Sequence, residues 1–120
     1  DFTVEPAMTR AQAVQAIAAG LALVRAQKRA GVQLLATGEM GIGNTTTSSA
    51  VASVLLGRPV AEMTGRGAGL SDAGLRRKIE VIERGIAVNR PDAADPLGVL
   101  AALGGFDIAG LCGVFLGSGE

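Results

Sequence analysis

Histidine, tryptophan and tyrosine are absent from this 120-residue chain, cysteine occurs once and phenylalanine three times. Each gap removes a class of chemistry. Without histidine and with one thiol, the chain cannot assemble a zinc site of the His/Cys type or run a histidine-based triad by itself. Eleven basic residues balance eleven acidic ones, so no net field gathers polyanions, and rings for base stacking are scarce. Nucleic acid is therefore not an expected partner. Cys112 lies in the apolar run 108–116, where a buried, inert thiol is expected. A lone cysteine and the lack of a signal peptide point to the reducing cytoplasm.

What remains is small and aliphatic, with 18 glycines and 48% hydrophobic residues, and the length suits one domain. The stretch from Leu97 to Ser118 carries one charge, Asp107, in 22 residues and is long enough to cross a bilayer. Gly104-Gly105 interrupts it, and an aspartate near its centre costs about 2.5–3.5 kcal/mol on insertion scales. Two short buried helices meeting at a turn are expected, and no membrane.

Thr9-Arg10-Ala11-Gln12 fits a capping box, and Val14, Ile17, Ala18, Leu21 and Val24 follow at helical spacing, with Gly31 as the stop. A second helix is predicted from about Thr46 to Leu56, ended by Gly57. Ser71 and Asp72 can cap a third, in which Leu75, Ile79, Ile82 and Ile86 form an apolar stripe bordered by Lys78. Glu80 and Arg84, on its far side, are spaced for a weak ion pair. Asp95-Pro96 opens a short helix, and a fifth starts near Asp107. Between the first two helices, Val32 to Thr37 reads as a strand, and its lack of polar alternation is the pattern of an internal one. A strand needs neighbours for its backbone groups. The expected class is thus α/β, mostly helical with one strand at about 32–37. The chain would then be part of a larger protein, or pair its strand with another chain.

The strand runs into Gly38-Glu39-Met40-Gly41-Ile42-Gly43-Asn44-Thr45-Thr46-Thr47, a glycine-rich turn opening a helix. Such turns hold anions, because glycine admits close approach and the first helical amides lack partners. The run comes within one residue of the Walker pattern, with Asn44 in place of the lysine. That change argues against nucleotide hydrolysis, since asparagine supplies no charge to a transferred phosphate. Gly41 and Gly43 offer only half of a dinucleotide fingerprint. Glu39, the acid of the loop, could hold a hydroxyl or a basic nitrogen, or simply cap a nearby amide. The second glycine run, 65–69, could merely join helices, and Lys78 could be an ordinary solvated lysine.

The run from Gly38 to Thr46 closely resembles the signature loop of nicotinate-nucleotide:dimethylbenzimidazole phosphoribosyltransferases. Pro6-Ala7-Met8-Thr9, Gly65-Arg66-Gly67-Ala68-Gly69-Leu70, Lys78-Ile79 and Gly104-Gly105-Phe106-Asp107-Ile108-Ala109-Gly110 fall in that family's order. The resemblance implies transfer of ribose 5-phosphate from nicotinate mononucleotide to 5,6-dimethylbenzimidazole, giving α-ribazole 5'-phosphate and nicotinate. It also implies a Rossmann-like parallel sheet, a homodimer, and no metal or cofactor. Glu39, Gly41, Gly43, Asn44 and Thr45 would face the substrates, Glu39 orienting or stabilising electrostatically, and Lys78 would be the phosphate counter-ion. The family's general base is expected in a carboxyl-terminal part that these residues do not include, and part of the benzimidazole pocket in an amino-terminal one. Residues 1–120 are then a single partial domain from the centre of a larger enzyme, inactive alone. The alternative is a non-catalytic assembly or nucleotide-binding module whose strand completes a partner's sheet.

Overall fold

Local signals start and stop the longest helix. Thr9 Oγ1 accepts from the Gln12 amide at 3.2 Å, and Gln12 Oε1 accepts from the Thr9 amide at 2.9 Å, closing the capping box. At the other end Gly31 turns left-handed (φ +84°), and the amides of Gly31 and Val32 return to the Lys28 and Gln27 carbonyls. The computed structural model describes residues 1–120, which form six helices. They are α1 (Arg10–Arg29), α2 (Asn44–Leu56), α3 (Val60–Met63), α4 (Asp72–Asn89), α5 (Pro96–Leu103) and α6 (Phe106–Ser118). The four-residue α3 was not foreseen; it is too short to leave a periodic signal.

The predicted strand does not form. Val32 to Thr37 is irregular backbone, Leu34 is 88% exposed, and no residue from Gln33 to Met40 makes a backbone–backbone hydrogen bond. The α/β, Rossmann-like expectation is corrected to an all-helical arrangement of these residues, and the assembly alternative loses the strand on which it depended. The physical reason is the one that made the strand awkward: no second extended segment exists here to accept its donors.

A pair of helices in backbone contact forms one side of the molecule. Gly20 of α1 faces the Gly110 carbonyl, and a Cβ there would also sit 2.9 Å from the Val114 amide. Gly113 of α6 faces the Ile17 carbonyl in the same way. Approach this close selects small residues, so α1 buries Ala13, Gly20 and Val24, while Val14 and Ala18 of the predicted face are exposed. The apolar run 97–118 breaks into α5 and α6 at Gly104-Gly105 as expected, but only α5 is buried. α6 encloses Ala109, Gly113 and Gly117 and leaves Phe106, Phe115 and Leu116 exposed, and no helix is long and apolar enough to cross a membrane.

The other side is built on α5, whose Val99 and Leu103 are fully enclosed together with Ile82 of α4 and Ala50 of α2. Ala7 and Met8 donate their amides to the Ala102 and Ala101 carbonyls, satisfying acceptors that the end of α5 leaves open. Asn89 Nδ2 donates to the Phe2 carbonyl at 2.6 Å, and the Phe2 ring fills the space over Gly85. The Glu80–Arg84 pair is not formed; the molecule's four ion pairs lie elsewhere. The helical frame thus fixes the starts of α2 and α6 and the middle of α4 in one region.

Candidate functional site

The two glycine-rich loops meet over Lys78. Gly43, at φ +80°, turns the chain into α2, and the Thr45 amide in that first turn has no acceptor. Lys78 reaches up from α4: its Nζ donates to Thr45 Oγ1 at 2.8 Å and to the Gly65 carbonyl at 3.0 Å. The residue is only 7% exposed, and no carboxylate lies within ion-pair distance. An ammonium has three donors, so one remains uncommitted. Desolvation by burial holds its pKa below the ordinary value of 10.5.

Gly67 lets the second loop lie on this pair. It stands at φ +57°, and a Cβ there would come within 2.9 Å of Thr45 Oγ1 and 3.6 Å of Lys78 Nζ. Arg66 is a brace: its guanidinium donates to the Leu70 carbonyl at 2.8 Å and pairs with Asp72. A cleft of about 520 Å³ opens here, lined by Gly43, Thr45, Gly67, Arg77 and Lys78 among others. A cation, unpaired amides and glycine backbone around one concavity make a receptor for an anion.

Four residues upstream the loop is closed by its own acid. Glu39 Oε2 accepts from the Gly41 amide at 2.6 Å, and Oε1 accepts from Asn44 Nδ2. Asn44, at the Walker lysine position, therefore ties the loop to itself. A Cβ at Gly41 would meet the Asp107 carboxylate from the first turn of α6 and lie 3.1 Å from Glu39 Oε2, so a side chain there would have to push these carboxylates aside. Along α6, Ile108, Leu111, Cys112 and Phe115 face Glu39, Asn44 and Ser48 across a cleft of about 540 Å³. Cys112 is half-buried and lines this cleft, so the expectation of a buried thiol is corrected.

The candidate residues thus fall into two groups, Gly43 and Thr45 with Lys78 of α4 at the anion cleft, and Glu39, Gly41 and Asn44 in the self-closed turn that leads into α2. Lys78 is buried where a solvated side chain was the plain alternative, because its stem lies on the apolar face of α4. Gly67 and Asp107 were not singled out as site residues. Asp107 reads in sequence as a helix start, and nothing local reveals that α6 carries it against Gly41. No three Cys, Asp or Glu side chains gather where a metal ion could be held.

Comparison with known proteins gives this arrangement its relatives. A family model described as Phosphoribosyltransferase matches residues 1–120. A nicotinate-nucleotide–dimethylbenzimidazole phosphoribosyltransferase from Roseiflexus sp. (strain RS-1) is 62% identical over 118 residues, 98% of this chain and 33% of that protein. One of the same name from Desulforudis audaxviator is 60% identical over 116 residues, 97% of this chain and 33% of that protein. The crystal structure of CobT from Thermus thermophilus superposes with a TM-score of 0.89 at 40% identity, covering 99% of this chain and 35% of that one. The chain spans about a third of the length of the curated relatives it matches. It belongs to the family of nicotinate-nucleotide–dimethylbenzimidazole phosphoribosyltransferases.

Proposed function

We propose that residues 1–120 are a single partial domain, the phosphate- and ribose-binding centre of a phosphoribosyltransferase. The reaction is transfer of ribose 5-phosphate from nicotinate mononucleotide to 5,6-dimethylbenzimidazole. The observation that carries this reading is the buried Lys78 ammonium, held only by the neutral oxygens of Thr45 and Gly65. Burying a cation without an anion is costly, and a phosphate monoester at the cleft would supply the missing charge while accepting from the free N–H and the Thr45 amide. Gly43 and Gly67 let the backbone come close enough for this.

In the reaction the C1'–N bond of nicotinate mononucleotide breaks, and its electron pair leaves on the nicotinate nitrogen. The unprotonated nitrogen of the benzimidazole supplies the pair for the new C1'–N bond, and the proton on the ring's other nitrogen passes to the general base that the family resemblance places in its carboxyl-terminal part. Positive charge grows on the ribose between these events, so carboxylates beside the loop stabilise the transition state. The apolar cleft along α6 has the character of an aromatic-ring site. The names of the relatives support both substrates. A homodimer in the cytoplasm completes the proposal; the single Cys112 fits that compartment.

The test is chromatographic detection of α-ribazole 5'-phosphate and nicotinate from the two substrates with the full-length enzyme carrying these residues. Product is expected with that enzyme, and none with residues 1–120 alone. Absence of product from the full-length enzyme would overturn the reading.

A further inference from the structure

We infer that Asp107 is a substrate-facing carboxylate of the ribosyl-transfer site, and that Glu39 serves as the brace of its loop. The inference rests on the transferase reading above. Both Glu39 oxygens are engaged within the loop, by the Gly41 amide at 2.6 Å and by Asn44 Nδ2. A carboxylate spent in this way holds the turn in shape and has less to offer a ligand. Asp107 is the opposite case. It is half-buried, takes part in no side-chain hydrogen bond or ion pair, and leans over Gly41 from a rigid helix.

The glycines around it fit the same reading. Side chains at Gly41 and at Gly105 would both meet the Asp107 carboxylate and displace it from its present position. It is the one acidic residue in the first turn of α6, where a carboxylate suits the helix dipole. Asp107 and Glu39 also line one cleft of about 590 Å³, which α1 closes with Ala16, Ala19 and Gly20. Lys78 touches the loop at Thr45 and Asp107 touches it at Gly41, four residues apart. A ribose 5-phosphate undergoing transfer needs that pairing, a cation for its phosphate and an anion for the charge growing at C1'. Asp107 forms no bond in this step. It stabilises the ribosyl cation while nicotinate leaves and the benzimidazole nitrogen attacks.

Asp107→Asn separates this from a purely structural role at the helix start. In the full-length enzyme, kcat is expected to fall about 100-fold, the scale of one lost electrostatic contact in an active site. Calorimetric Kd for nicotinate mononucleotide should stay within about threefold and the thermal midpoint within a few degrees, since shape and hydrogen-bonding capacity are kept. Glu39→Ala should act differently, raising KM for nicotinate mononucleotide more than it lowers kcat, because it loosens the loop. If Asp107→Asn fails to fold, Asp107→Ser, also suited to a helix first turn, is held to the same threshold. Retention of kcat within threefold, or loss of activity only in step with loss of folded protein, overturns the inference. The wild-type enzyme in the same assay reports on the transferase reading itself: without its product both fall, whereas an active wild type with an equally active Asp107→Asn removes only the Asp107 role.

Discussion

Lys78 is where sequence and structure differ most in meaning. As one cation bordering an apolar stripe it looks solvated; folded, it is 7% exposed and bonded to residues 33 and 13 positions away. Lys78→Met keeps the stem and removes the buried charge. Thermal unfolding should move upward, because an uncompensated buried ion is replaced by packing. Binding of nicotinate mononucleotide should weaken by roughly 100-fold, the scale of a charge-assisted contact. The pH dependence follows from the depressed pKa. Between the folded value and 10.5 the unfolded chain holds more protons on this group, so its contribution to stability rises with pH through that window and is lost below it. Ligand binding runs the other way there, weakening as Lys78 gives up its proton, and strengthening at the acid end as the phosphate passes its second ionisation near pH ~6. A calorimetric pH series should therefore give a bell. Ser53 is a separate case: its hydroxyl is buried without a partner, so Ser53→Ala should be neutral or raise stability by up to about 1 kcal/mol in denaturant unfolding.

At the scale of elements, the local signals were legible. The Thr9 capping box, the Ser71 cap, the Asp95-Pro96 start and the Gly104-Gly105 break all sit where the sequence put them, because each is settled within a few residues. Features decided by a distant partner were not. The strand at 32–37 had no neighbour to pair with, and contact with the glycines of α6 decided how much of the apolar stripe of α1 is covered, turning Ile17, Leu21 and Val24 inward and leaving Val14 and Ala18 exposed. Glu39 and Asp107 show the same divide, since the loop was readable and the helix that meets it was not. Gly20→Ala or Gly113→Ala should cost about 1–3 kcal/mol by overpacking backbone against backbone, measured as a shift in denaturant midpoint. Arg90 ends α4 with φ +46°, the only non-glycine residue in that region. Arg90→Gly should accordingly stabilise by about 0.5–1 kcal/mol, after the greater freedom of glycine in the unfolded chain is allowed for.

The molecule as a whole is open. Its radius of gyration is 15.2 Å, against about 13.6 Å for a compact chain of this length, and only 20 of its 120 residues are buried. Leu34, Met40, Ile42, Phe106, Phe115 and Leu116 are all more than half exposed. Surface of that kind marks contact faces, in keeping with a chain that spans a third of its relatives' length. The charged site is nevertheless assembled within these residues, from α2, α4 and the two glycine loops. The most direct test of that claim is a calorimetric comparison of nicotinate mononucleotide with the unphosphorylated nicotinate riboside, titrated into the wild-type protein and Lys78→Met. A phosphate preference of roughly 100-fold in the wild type, abolished in Lys78→Met, is the expected result. Equal affinity for the two ligands, or a preference that survives Lys78→Met, would contradict the account.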